Sequence, residues 1–360
     1  FDITGFSYTS GGEVNEITDS SPQTSTAEKY LLIAAKEAIE SANINTSPEN
    51  PKDIGIILGT NFGDTSAMES LIETFISHKK TCKPDIVQSI SFQSCSDKLA
   101  EYFACRGPRS TVSLSCSSGT AAIAYAASLI EAGISAWFVT GGYDVISRFA
   151  WAGLSALRTM TTEKIRPFEK KRNGTIFSEG AGILIVEELN HALSRHAPIL
   201  AELLGYSMNN NAFHMTAPDK NGEGMANAMR TALACANLAP EKIEHINSHG
   251  TGTKYNDLAE TQAIKSIFGK HAFNIPINSI KSMTGHMMGA AGAVEAIATI
   301  LTIQKGWIPP TINYEEKDPD CDLDYVPNKP RQHAVKIAMS NSAGIGGNNS
   351  SVILGAWNEQ

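Results

Sequence analysis

Two stretches, Gly119 to Ala132 and Gly289 to Gln304, are rich in glycine and alanine and apolar on nearly every side at helical spacing. A helix without a polar face has to be buried all round. A chain that buries two of them needs further layers to cover both, and the simplest cover is a sheet on either side. Strand material is present. Ile54–Gly59, Thr111–Leu114, Ala136–Thr140, Gly182–Val186, Lys336–Met339 and Ser351–Leu354 are short apolar runs bounded by turn residues. Between them, Thr26–Asn43, Gly224–Ala236 and Asp257–Phe268 read as helices, the first with serine and threonine at its capping end. The alternation predicts an α/β chain in layers, with helices sandwiched between sheets.

The two buried helices are introduced alike. Ser-Leu-Ser-Cys116-Ser-Ser-Gly-Thr-Ala-Ala precedes one and Thr284-Gly-His286-Met-Met-Gly-Ala-Ala-Gly-Ala the other. Each sets a reactive side chain just ahead of a small-residue helix, which predicts two related halves. At 360 residues the chain exceeds the roughly 250–300 at which a single core stops growing. We divide it into residues 1–200 and 201–360.

Charge and cysteine content narrow the function. With 29 basic and 37 acidic residues the net charge is −8, which disfavours nucleic acid as a partner. No apolar run approaches the roughly 18 residues of a membrane helix. The six cysteines show neither CxxC pairing nor the density of a disulfide scaffold, so a reducing, cytoplasmic location is expected. The first residue is Phe1 and nothing ahead of it reads as a signal peptide. No Cys/His cluster suggests a metal.

Cys116 follows a short strand and opens a helix, where unpaired N–H groups and the helix dipole favour a thiolate. Taken alone, it reads first as a small buried thiol of no chemical consequence, as most free cysteines are. His249 lies in Ile246-Asn-Ser-His249-Gly-Thr251-Gly-Thr253, a strand end running into a glycine-broken loop. Such loops present side chains where α/β active sites sit. His286 combines with Lys281 in Lys281-Ser-Met-Thr-Gly-His286. A cysteine, two glycine-flanked histidines and a lysine are harder to explain together than apart.

The set resembles the β-ketoacyl synthases, condensing enzymes of fatty acid and polyketide assembly, from about Ala27 to Gly355. Arg106-Gly-Pro108, Gly141-Gly142, Arg166-Pro-Phe, Glu179-Gly-Ala-Gly, His214-Met-Thr-Ala-Pro218, Pro309-Pro-Thr-Ile-Asn313 and Asn341-Ser extend the match. The resemblance implies the thiolase fold: α/β, five layers αβαβα, two related halves. Residues 1–200 would carry the nucleophile; residues 201–360 would carry the histidines and the glycine-rich loop. It implies decarboxylative condensation, with Cys116 holding the acyl group and His249 and His286 stabilising an enolate. Lys281 would orient the site, with Glu179 as its carboxylate partner or that of a monovalent cation. Thr251 and Thr253 would hold the amides of a phosphopantetheine arm supplied by an acyl carrier protein, no other cofactor being implied. Backbone N–H groups of Cys116 and Ile345 would form an oxyanion hole. Phe62 would line the far end of an acyl tunnel.

One departure stands out. The C-terminal loop reads Gly344-Ile345-Gly346-Gly347, whereas relatives place an aromatic gate where Ile345 stands. A looser gate, or an unusual acyl group, is expected. Carrier docking needs local positive charge on an acidic protein, and Arg166, Lys170 and Lys171 form the densest basic run. The family implies a homodimer, or a heterodimer with a related chain. A non-elongating, chain-length-factor-like subunit is the alternative, against which Cys116 speaks. A thiolase would need a second cysteine near the C-terminus with a single histidine, whereas the C-terminal glycine loop here has no cysteine and two histidines are present; a serine hydrolase would need a GxSxG elbow, which is absent.

Overall fold

The computed structural model describes residues 2–15, 17, 25–46, 52–78 and 90–357. Phe1 and Cys82 lie outside the described residues. The first sheet takes β1 (Gly55–Gly59), β2 (Arg109–Val112), β3 (Trp137–Asp144) and β4 (Gly180–Glu187) in the order β2-β1-β3-β4. Pairing is parallel except between β3 and β4. The second takes β5 (Glu202–Asn210), β6 (His245–Asn247), β7 (Ile277–Asn278), β10 (Ile337–Gly344) and β11 (Asn348–Gly355) in the order β5-β11-β10-β6-β7. A small hairpin of β8 (Trp307–Ile308) and β9 (Arg331–Gln332) lies apart.

The two sheets repeat one topology. In each, the second strand pairs parallel with the first, the first parallel with the third, and the third antiparallel with the fourth. β5 is an additional strand on the β11 edge. Every strand up to Glu187 belongs to the first sheet, and every strand of the second begins at Glu202 or later.

The helices explain themselves by composition. α1 (Thr26–Ser41) starts in a capping box: Glu28 N–H donates to Ser25 Oγ, and Ser25 N–H to the Glu28 carboxylate, each at 3.2 Å. It covers the first sheet from outside, with α3 (Ser94–Tyr102); α2 (Thr65–His78) lies between them in the chain. α4 (Ser118–Glu131) and, in the second half, α10 (Ala291–Lys305) fill the middle layer. Ile123, Ala293, Ala296 and Ile300 pack there against Val352 and Leu354 of β11. Between them in the chain come α5 (Arg148–Ala156), α6 (Leu189–Ser194), α7 (Glu223–Cys235), α8 (Lys254–Phe268) and α9 (Lys281–Thr284). α7 and α8 cover the second sheet from outside. The layers are therefore α, β, α, β, α, as expected.

Small residues at the centre let the middle helices touch. A Cβ on Gly119 would lie 2.8 Å from the Ala293 nitrogen and from the Gly289 carbonyl, so only glycine allows this approach. No helix among the described residues is long and apolar enough to cross a membrane.

Candidate active site

Cys116 sits on a tight turn between β2 and α4. Ser115 is left-handed, at φ +55°, a strained setting for a residue with a Cβ. Hydroxyls close the turn: Ser117 Oγ donates to Leu114 O at 2.8 Å and Ser118 Oγ to Ser115 O at 2.6 Å. The β10–β11 turn lies directly against it. A Cβ on Gly344 would come within 2.6 Å of Leu114 O and 3.2 Å of the Cys116 nitrogen. The Ile345 N–H points at the Cys116 sulfur and favours its anion.

The thiol itself does not behave as the helix start predicts. Burial, the dominant influence, pushes it up to about 11. The Ser115 hydroxyl and the Lys281 charge pull it down, the Asp144 charge pushes it up, and the Ile345 N–H pulls it down. A dipole acts through one end of a helix, whereas a fully enclosed sulfur loses water on every side. The expectation of a thiol lowered by its helix is corrected accordingly.

The second half brings the remaining groups together. His249 and His286 stand edge to face with ring centroids 5.4 Å apart, both nearly inaccessible to solvent. Both are held well below the usual imidazole range, first by burial and then by the Lys281 charge, so both rings are neutral. Lys281 Nζ lies 3.3 Å from His249 Nδ1. An ammonium can only donate, so Nδ1 accepts and the ring proton of His249 is on Nε2. The backbone of His249 is gripped by Glu260, which accepts from the N–H groups of His249 and Gly250, each at 2.8 Å. Phe177 stacks on His286 at 5.3 Å, and His286 N–H donates to Ile176 O at 2.8 Å.

Glu179 is not the partner of Lys281. Its carboxylate accepts from Tyr30 Oη at 2.5 Å, Ile146 N at 2.9 Å and Val14 N at 3.1 Å, which engages it on the far side of the first sheet. Lys281 instead pairs with Glu295, and both side chains are almost wholly buried. Burial pushes Glu295 up to about 7 against the pull of Lys281. Glu295 went unread because it stands inside α10, whose other residues up to Ile303 are uncharged. That isolation was itself the signal, since a lone acid in a buried helix needs a buried base.

The other expected residues fall into place around this centre. Thr251 and Thr253 bond to each other through their hydroxyls at 2.9 Å, one buried and the other partly so. Ile345 is partly exposed and Gly346 exposed, in a turn where Gly346 and Gly347 both take positive φ. Phe62 packs among Ile146, Trp151, Phe177 and Met288. The basic run is largely answered by acids: Arg166 pairs with Glu315 at 3.1 Å, while Lys170 and Lys171 share Glu316. Among the described residues no His, Cys, Asp or Glu cluster could hold a metal ion.

A cysteine on a strained turn and two neutral imidazoles, all within reach of one buried lysine's charge, give this α/β five-layer fold a nucleophile and two neutral hydrogen-bonding rings, the equipment of an acyl-transferring enzyme. Residues 12–192 match the β-ketoacyl synthase N-terminal domain and residues 200–315 its C-terminal domain. The 3-oxoacyl-[acyl-carrier-protein] synthase 2 of Synechocystis sp. is 38% identical over 329 residues, covering 89% of this chain and 79% of its own length. Two solved structures superpose closely. One, of a ketosynthase and chain length factor for ishigamide, has a TM-score of 0.92 and 35% identity over 99% of this chain and 90% of its own. The other, a type II PKS acyl-carrier protein in complex with its ketosynthase bound to the hexaketide, has a TM-score of 0.90 and 33% identity, covering 98% and 89%. The chain belongs to the β-ketoacyl synthase family.

Proposed function

We propose that this chain condenses an acyl group held on Cys116 with a malonyl thioester carried by an acyl carrier protein, yielding a β-ketoacyl thioester. The observation that carries the reading is that the Lys281 charge acts both on Cys116, from one half, and on the neutral His249–His286 pair, from the other. Because the thiol is protonated at neutral pH, its proton leaves as the sulfur attacks the incoming thioester, and a neutral imidazole is the available acceptor. The acyl–Cys116 bond forms and the carrier thiol departs. The malonyl group then loses CO2, and its C–C bonding pair becomes an enolate. Nε2–H of His249 and the neutral His286 ring donate to the enolate oxygen. The enolate carbon attacks the acyl carbonyl, whose developing negative charge is met by the N–H groups of Cys116 and Ile345. The C–S bond breaks, and the Cys116 thiolate takes up a proton from solvent, because the first proton left with the carrier thiol and loss of CO2 from a carboxylate consumes one more.

Lys281 holds His249 in the donating tautomer and is itself held by Glu295. Thr251 and Thr253 face the amides of the carrier's phosphopantetheine arm, and Phe62 closes the acyl cavity. The chain pairs with a second copy or a related chain, a reading supported by its likeness to the ketosynthase and chain length factor structure, and works in the cytoplasm. An intact Cys116 and Lys281–His249 contact favour the elongating role over a chain-length-factor-like one. Incubation with an acyl thioester should add one acyl mass to the wild-type chain and none to Cys116→Ala. Retained condensation in Cys116→Ala would overturn the reading.

A further inference from the structure

Asp144 takes no part in the chemistry above, yet its carboxylate is fully supplied with donors from two segments that border the site. It ends β3 and is wholly buried. Four donors converge on its carboxylate. Thr60 Oγ1 at 2.7 Å and Phe62 N–H at 2.9 Å reach one oxygen; Asn61 N–H at 2.8 Å and Gly289 N–H at 2.6 Å reach the other. Three come from the loop after β1 and the fourth from the segment just past His286. Thr60 Oγ1 also accepts from Gly63 N–H at 2.8 Å, so residues 60–63 fold round the carboxylate. The fit leaves no slack: a Cβ on Gly289 would lie 2.6 Å from both the Asn61 nitrogen and an Asp144 oxygen.

The loop so held carries Phe62. Its ring belongs to one apolar cluster with Met288 and with Phe177, the ring stacked on His286. Moving residues 60–62 relative to Gly289 therefore moves Phe62 relative to the histidine turn. We propose that Asp144 is a positioning residue for acyl selectivity, fixing the Phe62 wall of the acyl cavity against the segment that carries His286. Only an ionised carboxylate suits the place. An amide would turn its NH2 group toward one pair of these donors and, whichever way it lies, leave at least one backbone N–H without an acceptor. Burial pushes Asp144 up to about 6, so the carboxylate is ionised at neutral pH despite its enclosure.

The inference rests on the reading that Cys116 is acylated in a cavity bounded by Phe62, and the experiment separates the two. Wild type, Asp144→Asn, Phe62→Ala and the double variant are loaded from acyl thioesters of increasing length, and acyl–Cys116 is measured by intact mass. Asp144→Asn should shift the long-to-short loading ratio at least about fivefold, in the same direction as Phe62→Ala, and the double variant should match Phe62→Ala. Loading lowered equally at every length in Asp144→Asn would overturn the inference. Absence of wild-type loading would overturn the reading beneath it instead. If Asp144→Asn fails to fold, Thr60→Val removes one donor, leaves the carboxylate in place, and should shift the ratio the same way by less. An unmoved ratio there overturns the inference equally.

Discussion

The two halves share a sheet topology but hold their reactive groups by different physics. Cys116 is held by backbone: a left-handed Ser115, serine hydroxyls closing the turn, and a glycine-bearing strand end against it. His249, Lys281 and His286 are held by buried charge. Glu260 grips the His249 backbone and Glu295 balances Lys281. A nucleophile has only to be presented, and a strained turn does that. Two imidazoles that must remain neutral and correctly tautomerised need fixed charges near them. The first half should therefore respond to changes in geometry and solvent exposure, and the second to changes in charge.

The largest contrast lies in pH. With Cys116 pushed up to about 11, the thiolate fraction rises about tenfold per pH unit below that value. Iodoacetamide alkylation of Cys116 should climb about a thousandfold from pH 6 to pH 9 without levelling. A plateau above pH 7 would mean that the helix start outweighs burial after all. His249 and His286 stay neutral across this range, so they add no inflection.

Removing charge from the second half should come next in size. Glu295→Gln leaves the Lys281 ammonium buried without a counter-charge. Unfolding in urea at pH 8 should show a loss of about 3 kcal/mol, and condensation should fall about a hundredfold as the Lys281–His249 contact loosens. Glu179→Gln, in the first half, should lower stability by about 1–2 kcal/mol through its Tyr30, Ile146 and Val14 bonds. The ratio of condensation to Cys116 loading should not move in that variant, whereas in Glu295→Gln it should drop. Equal effects of the two substitutions would dissolve the contrast between the halves. Glu295 is pushed up to about 7, so wild-type condensation should also fall as pH drops through 7 and the carboxyl takes up its proton. Glu260 titrates in the same range, and the Glu295→Gln variant, already lacking that carboxyl, tells the two apart.

How far the sequence exposed this design follows the same division. The buried helices and apolar strands were legible because burial imprints itself on composition: α4 and α10 fall within a few residues of their expected ends. Cys116, His249, His286 and Lys281 were legible because glycines and hydroxyls mark the turns that present them. β5 was not, since its run Glu202–Asn210 mixes polar and apolar residues on a strand that is buried on one side only at intervals. Glu260, Glu295 and Asp144 were missed for one reason. Each binds a group on another element, 10 to 14 residues away for Glu260 and Glu295 and 145 for Asp144, beyond the reach of helix or strand periodicity, and only the isolation of Glu295 in its helix hinted at a partner. Glu179 was mistaken for such a partner because it lies in a matching motif, and a motif carries no distance.

The smallest expected effect concerns the surface. A basic run on a chain of net charge −8 invites an acidic carrier, but Glu315 and Glu316 already neutralise much of it. Exposed ion pairs of this kind contribute little and are screened by salt. Arg166 is less exposed than the two lysines, so it is the least accessible of the three to an incoming acidic surface. Reversing Lys170 to Glu should therefore change the apparent affinity for an acidic carrier by no more than about threefold. Glu316→Gln, which releases both lysines, should tighten binding by a similar factor at low salt and by nothing measurable at high salt. A tenfold weakening in Lys170→Glu would place the docking surface on this run and make the acids its regulators. No response to either variant would move the carrier contact away from this run, onto some other part of the surface.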